Sequence, residues 1–347
     1  MSFSWNAEEV PLASYIVRNR DSLILEASSS GGAFSAFATV VIKDGGVVFG
    51  AEYQGHRVAH AFIDNEADLV RFRGSKYAQS DIGTSYQDVH RFLSQGRSVL
   101  FSGTPCQVAA LNSYLAVAKA KGDELDRLYT IDFVCHGVGS PKAFEYYLRD
   151  KEREGAHVSK VNMRSKKYGY RAAAMELIDE HGRSRYISGA VDDYLRAFYG
   201  NYILRPSCYA CVFKTAHRAS DLTMWDSWMA EEILGIVPDN RGYTNVVVQS
   251  KKGERLMACS SPLLEAHPVN FERIRPSKGG SMLHSASFNP RREEFFKGMC
   301  SDGFERTMVV FEPLGLRSHI KEIVKSLLGY LGLRDYFSRV KRRRGQC

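Results

Sequence analysis

Hydrophobic positions along the chain fall into two periods. After Ser28-Ser29-Ser30-Gly31-Gly32 comes the apolar run AFSAFATVVI, which predicts a helix. A serine ahead of such a run can cap the helix, and glycine lets backbone approach a ligand closely. Asp44-Gly45-Gly46 predicts a turn and VVFGAEY a strand. The polar RFRGSKYAQSDIG reads as a loop. It leads into SYQDVHRFLSQG, whose Val89, Phe92 and Leu93 mark the inner face of an amphipathic helix.

The next stretch is the most informative. Ser98-Val99-Leu100-Phe101 has the pattern of a short buried strand and ends in Ser102-Gly103-Thr104-Pro105-Cys106. QVAALNSYLAVAKA predicts a helix, and LYTIDFV a second strand ending in Cys135-His136-Gly137. Such strand–helix–strand units usually join parallel neighbours. Cys106 and Cys135 would then both leave carboxyl ends of strands, where open α/β sheets place ligands.

After Pro141, AFEYYLRDKEREG predicts a helix, and NVVVQSKKGERLM a strand, a turn and a helix start. From about Leu316 the chain is basic, with Ile320, Ile323, Val324, Leu327 and Leu328 at helical spacing. The fold expected is α/β, with mixed α+β as the alternative: a central mixed sheet, flanking helices and a C-terminal helical tail. Its divisions are residues 1–80 and 81–311, two parts of one ligand-binding body, and the tail 312–347.

The 347 residues, 44% of them hydrophobic, can bury a large core in one domain or two intimate ones. No apolar run approaches the roughly 20 residues that span a bilayer. The acidic start MSFSWNAEEVPLAS does not read as a signal peptide, so the expectation is a cytoplasmic protein. The formal charge of +8 and pI near 9.0 suit anionic partners without choosing among them. With no nucleic-acid module accompanying the charge, nucleic-acid binding is not expected. The terminal helix is read as a packed or solvated basic helix in preference to a membrane-surface anchor.

Seven cysteines in irregular contexts do not make a secreted disulfide framework. Cys208 and Cys211 form a Cys-x-x-Cys pair behind Pro206, a spacing used for metals, clusters and redox work. With Cys106 and Cys135 there are four thiols, enough for an iron–sulfur cubane or a structural zinc. The bland alternative makes Cys106 and Cys135 small packing residues. Cys259, Cys300 and Cys347 have no partner at an informative spacing.

The Ser30-Gly31-Gly32 segment can hold a phosphate at a helix N-terminus, or be an ordinary turn. Lys76 and Tyr77 offer a charge and a ring to a cofactor, or sit in a solvated loop. His136 is a candidate proton donor, or a histidine satisfying backbone groups. Trp225 and Trp228 flank Asp226 and suit a pocket wall as well as a core. No G-x-G-x-x-G, Walker, HExxH or G-x-S-x-G motif is present.

In order along the chain, SSSGGAFSA, GSKYAQSD, LFSGTPCQVAAL, TIDFVCHGVGSPK, RPSCYACVFK and SDLTMWDSW together resemble the coenzyme F420 hydrogenase/dehydrogenase beta-subunit family. The resemblance runs from about Ser28 to Phe296, closing with SFNPRREEFF. It implies FAD and a [4Fe–4S] cluster, with Cys106, Cys135, Cys208 and Cys211 as cluster ligands. It places Ser30, Gly31, Gly32, Lys76 and Tyr77 along the FAD. It also implies electron transfer between the cluster and a small hydride acceptor or donor at the flavin, such as a deazaflavin.

Two departures stand out. Many relatives carry a ferredoxin-like module ahead of the first motif, and no cysteine precedes Ser28 here. A separate ferredoxin or other acidic electron carrier is therefore the expected partner. The family's usual Gly-Asp-Phe-Trp-Gly run reads Trp225-Asp226-Ser227-Trp228-Met229, which puts the substrate pocket in question. The reading from sequence is thus a flavin-dependent oxidoreductase; the rival is a non-catalytic scaffold subunit that keeps the fold and a structural metal.

Overall fold

The structure is a computed structural model that describes residues 11–155, 157–276 and 280–315, together with Ile320, Val324 and Leu327. Those three are helical and exposed. The rest of the expected tail after residue 315, including Ile323, Leu328 and Lys341–Arg344, lies outside the described residues. So do the first ten residues and Cys347.

Among the described residues, eleven strands build two sheets. They are β1 (Ala13–Asn19), β2 (Val47–Gln54), β3 (Arg57–Ile63), β4 (Val99–Ser102), β5 (Leu128–Phe133), β6 (Val158–Ser165), β7 (Ala174–Asp179), β8 (Ser184–Ser188), β9 (Leu222–Asp226), β10 (Thr244–Val248) and β11 (Leu264–Pro268). Eight form the main sheet in the order β11-β1-β10-β9-β5-β4-β2-β3, and β6-β7-β8 form a smaller one. Within the large sheet β2, β4, β5 and β9 run parallel. Antiparallel strands complete it on both sides. This is the central mixed sheet expected, and strands on either side of residue 80 share it.

Alternation along the strands explains the layers. Val48, Leu100 and Ile131 face one side. There they pack with Phe37, Val41, Leu256 and Met257, from helices α1 (Ala33–Lys43) and α6 (Lys251–Ser260). Val47, Phe49, Val99, Phe101 and Leu128 face the other side. They meet Val89, Phe92, Leu93, Val108 and Leu111 of α2 (Ser85–Ser94) and α3 (Pro105–Val117). A further core joins α4 (Pro141–Arg153), α5 (Asp193–Tyr199), α7 (Arg292–Asp302) and α8 (Phe304–Phe311) to the small sheet. Among the described residues no helix is long and apolar enough to cross a membrane.

Two local outcomes differ from the sequence reading. The N-cap of α1 is Gly32 at φ 75°, with no side-chain cap, so no serine caps it. The chain must turn into the left-handed region there, which glycine does without steric cost. Strand β1, not singled out from the sequence, lies inside the sheet between β10 and β11.

Candidate functional site

The parallel strands set the site. As their motifs predict, β4 and β5 are parallel neighbours, with Ser102 level with Ile131. Cys106 follows β4 as the second residue of α3, after Pro105, where the missing N–H of proline costs nothing. Its Sγ lies 3.0 Å from Thr104 Oγ1. Cys135 lies just past the end of β5.

Backbone bonds then stitch three distant segments together. Gly139 N donates to Tyr77 O and Gln79 N to Gly139 O, while Arg205 N donates to Val138 O and Ser140 N to Ile203 O. The Cys135–Ser140 loop is thereby held between the segment carrying Tyr77 and the one leading to Cys208. A one-turn helix, Pro206–Ala210, presents Cys208, and Cys211 caps it. Cys211 N donates to Ser285 Oγ at 2.9 Å.

Two cavities result. The smaller, about 260 Å³, is lined by all four cysteines, with Lys214 and Arg218. The larger, about 890 Å³, runs from Ser28–Ser30 and Gly32 past Lys76 and Tyr77 to Trp225 and Trp228. Thr104, Cys135, His136, Gly137 and Val138 line both, so one loop is their common wall.

Around the thiols, burial pushes Cys135 up to about 12, opposed by Lys214 and reinforced by the other three sulfurs. Burial also raises Cys208. Binding a metal here must therefore release protons. Among the described residues no three His, Cys, Asp or Glu side chains close on a single-ion position. Thiolates on zinc stand about 2.3 Å from one centre, whereas these four surround a cavity. Cys259 and Cys300 are exposed and line neither cavity.

Of the residues expected along a flavin, Ser30, Gly32, Lys76 and Tyr77 line the large cavity. Gly31 does not. A Cβ there would sit 2.5 Å from Val17 O and 2.7 Å from Thr244 N, so this glycine serves the close packing of the turn against the sheet. Ser30 Oγ donates to Tyr243 O at 2.7 Å. The Lys76 ammonium donates to the carbonyls of Arg71, Phe72, Arg73 and Gly74. Burial holds its pKa down to about 7, with Glu52 pulling it back up. Its ammonium is held by the carbonyls of its own turn at the border of the cavity. Tyr77 stacks on Phe198 at 4.8 Å.

His136 Nε2 meets Asn201 Oδ1 at 2.8 Å, and its ring lies 5.4 Å from that of Phe198. Burial depresses its pKa, with the Asn201 bond opposing. At the far end, Arg164 pairs with Asp226 and lies 4.8 Å over the Trp228 ring, which stacks on Tyr170 at 4.5 Å. Both tryptophans wall the cavity.

Sequence reasoning missed Arg164, Lys214 and Arg218. Single basic residues inside mixed segments carry no spacing to betray them.

The donors fit the groups that the resemblance implies. Four cavity-lining polar atoms, His60 Nδ1, Arg164 Nη2, Ser227 Oγ and Asn245 Oδ1, are buried without a partner. Native interiors rarely leave such atoms unsatisfied. The four-thiol cavity has the ligand number of a cubane.

The family profile for coenzyme F420 hydrogenase/dehydrogenase, covering the C-terminal part of the beta subunit, matches residues 96–270. That span holds all four cysteines and is half the chain. The chain belongs to the coenzyme F420 hydrogenase/dehydrogenase beta-subunit family. A solved chain from the F420-reducing [NiFe] hydrogenase complex of Methanosarcina barkeri is similar to it in fold. The TM-score is 0.53 at 18% identity, covering 77% of this chain and 84% of that one. A comparison with curated proteins finds no match. Membership in the family makes this a redox protein by kinship.

Proposed function

We propose that this beta-subunit-family chain is an oxidoreductase that binds FAD in the large cavity and a [4Fe–4S] cluster on Cys106, Cys135, Cys208 and Cys211. The observation that carries this reading is the loop Cys135–Val138, which lines both cavities. Groups bound in the two cavities would share this loop as their common wall.

When bound, the cluster supplies single-electron transfer and the flavin exchanges two electrons as hydride. The chain's own residues supply place and orientation. Ser30, Gly32 and Tyr77 border the flavin, with the α1 N-terminus suited to a phosphate. His136, fixed by Asn201, stands at the wall as the proton-handling group. Trp225, Trp228 and Arg164 border the end left for the substrate, a deazaflavin or another small hydride carrier. The electron donor is an external ferredoxin-like protein, met by a basic surface whose attraction weakens with salt.

The test is anaerobic purification followed by assay of iron, acid-labile sulfide, zinc and flavin, with visible spectra before and after chemical reduction. Near-stoichiometric sulfide and flavin, and bleaching of both chromophores, are expected. Stoichiometric zinc without sulfide would overturn the mechanism. Loaded protein whose flavin stays oxidised with every low-potential donor would make the chain a scaffold instead.

A further inference from the structure

Arg218 is buried, with its side chain only 2% exposed. Its Nε donates to Thr215 O at 2.6 Å. Both terminal nitrogens, Nη1 and Nη2, lack any hydrogen-bond partner. The nearest carboxylate, Asp132, is 3.7 Å away, too far for a hydrogen bond. A guanidinium carries five N–H donors, so four are left unclaimed in the interior. Leaving charged donors unsatisfied costs more than leaving neutral ones. This side chain lines the four-cysteine cavity.

Lys214 stands on the same cavity, but its ammonium already donates to Cys135 O and Ser281 O. Lys214 keeps one N–H, and the exposed Arg205 also borders the cavity. Arg218 is the cation buried there, with four donors unclaimed. Four thiolates around a cubane make a net anion, and reduction adds one more negative charge. Net charge and hydrogen bonds to the sulfurs set a cluster's potential. Guanidinium suits this task because it stays protonated when buried.

We propose that Arg218, held by Thr215 and flanked by Asp132, is the charge-compensating and potential-setting residue of the four-cysteine site, donating its free Nη–H groups to the cluster's sulfurs. This rests on the cluster reading above. In the reaction measured, the oxidised cluster takes one electron from the titrant, with no bond made or broken and no proton transferred. A positive charge beside it favours the reduced form.

The experiment is an anaerobic reductive titration of the whole chain at pH 8 with dithionite and mediators, followed by electron paramagnetic resonance. Iron and sulfide are assayed on every sample. Arg218→Gln is expected to shift the midpoint to more negative potential. At the wild-type midpoint its reduced-to-oxidised ratio should fall on the order of tenfold, which is about 59 mV for one electron. One unit charge within about 12 Å, at an effective dielectric constant of about 20, supplies at least that much. Arg218→Lys should stay near wild type.

Asp132→Asn removes the opposing charge and should move the midpoint the other way, to more positive values. A merely structural arginine would lower stability in these variants without giving midpoint shifts of opposite sign. Cluster loss in Arg218→Gln with retention in Arg218→Lys also supports the proposal. An unchanged midpoint in Arg218→Gln, with iron and sulfide retained, overturns it. So does a negative shift in Asp132→Asn. Wild-type protein lacking sulfide is a separate result, read before any titration, and removes the cluster reading itself.

Discussion

His136 is anchored by Asn201: the ring nitrogen Nε2 and the amide oxygen meet at 2.8 Å, and Asn201 holds a left-handed backbone at φ 61° to make the contact. Asparagine tolerates this conformation better than most residues. The one strained residue of the turn after α5 thus fixes the histidine on the wall between the cavities.

Substitution at Asn201 should separate backbone from side chain. Asn201→Gly keeps the conformation and loses the contact, so stability should hold within about 1 kcal/mol. Asn201→Ala should be less stable than the glycine variant by roughly 1 kcal/mol. Flavin reduction should slow about tenfold in both, through the unfixed imidazole. Denaturant titration and stopped-flow absorbance measure the two effects. Equal stability of the glycine and alanine variants would contradict the backbone argument.

Cysteine replacement should divide sharply. Serine at Cys106, Cys135, Cys208 or Cys211 should each cost most of the acid-labile sulfide, because each thiol lines the same cavity. Serine at the exposed Cys259 or Cys300 should leave iron and sulfide at wild-type levels. Retention of the full cluster after replacing Cys135 would remove it from the ligand set.

Gly139 has no room for a side chain. A Cβ would lie 2.6 Å from Tyr77 O and 2.7 Å from Tyr194 Oη, at the point where the three site segments bond. Gly139→Ala should cost at least about 2 kcal/mol by overpacking. It should also weaken flavin binding by displacing Tyr77, seen as faster flavin loss on gel filtration. A variant with wild-type stability would show that the stitched loops are not tightly held.

Asp192 gives a pH dependence with a definite sign. Its carboxylate accepts from Tyr147 Oη at 2.7 Å and from Leu195 N at 2.9 Å. Burial nonetheless raises its pKa to about 6, with those two bonds opposing. The unfolded value is about 3.9, so the folded state binds the extra proton between the two. Its contribution to stability is full below about 4 and is lost as pH rises through about 6. Asp192→Asn should remove that slope and be more stable than wild type at pH 8, by about 3 kcal/mol. Denaturant melts at pH 4, 5, 6 and 8 measure it. A wild-type slope that survives the substitution would assign it to another group.

Much of the frame was legible along the chain because it is local. The helix at Ser85–Ser94 follows from Val89, Phe92 and Leu93, and the β4–α3–β5 unit from two short apolar runs around Pro105. The four thiols could be grouped because cysteine beside turn residues is uncommon and Cys208 and Cys211 share a spacing. The Ser28–Gly32 turn was read for its serines, yet geometry gave the cap to Gly32 and the packing role to Gly31. Lys76 was read as a charge for a cofactor or as part of a solvated loop, and only the structure shows its ammonium donating to the carbonyls of its own turn.

Sequence alone therefore determined the strand and helix periods, the candidate sulfurs and the family. Only the tertiary structure decided that Cys135–Val138 is one wall with a cavity on each side, that β1 enters the sheet, and that Arg218 lines the four-cysteine cavity with its terminal donors unclaimed. Periodicity and spacing report what a segment does with its neighbours in the chain. Which distant groups meet, and which buried donors remain unpaired, depends on strand order and loop stitching, where the packing of the whole molecule settles each contact.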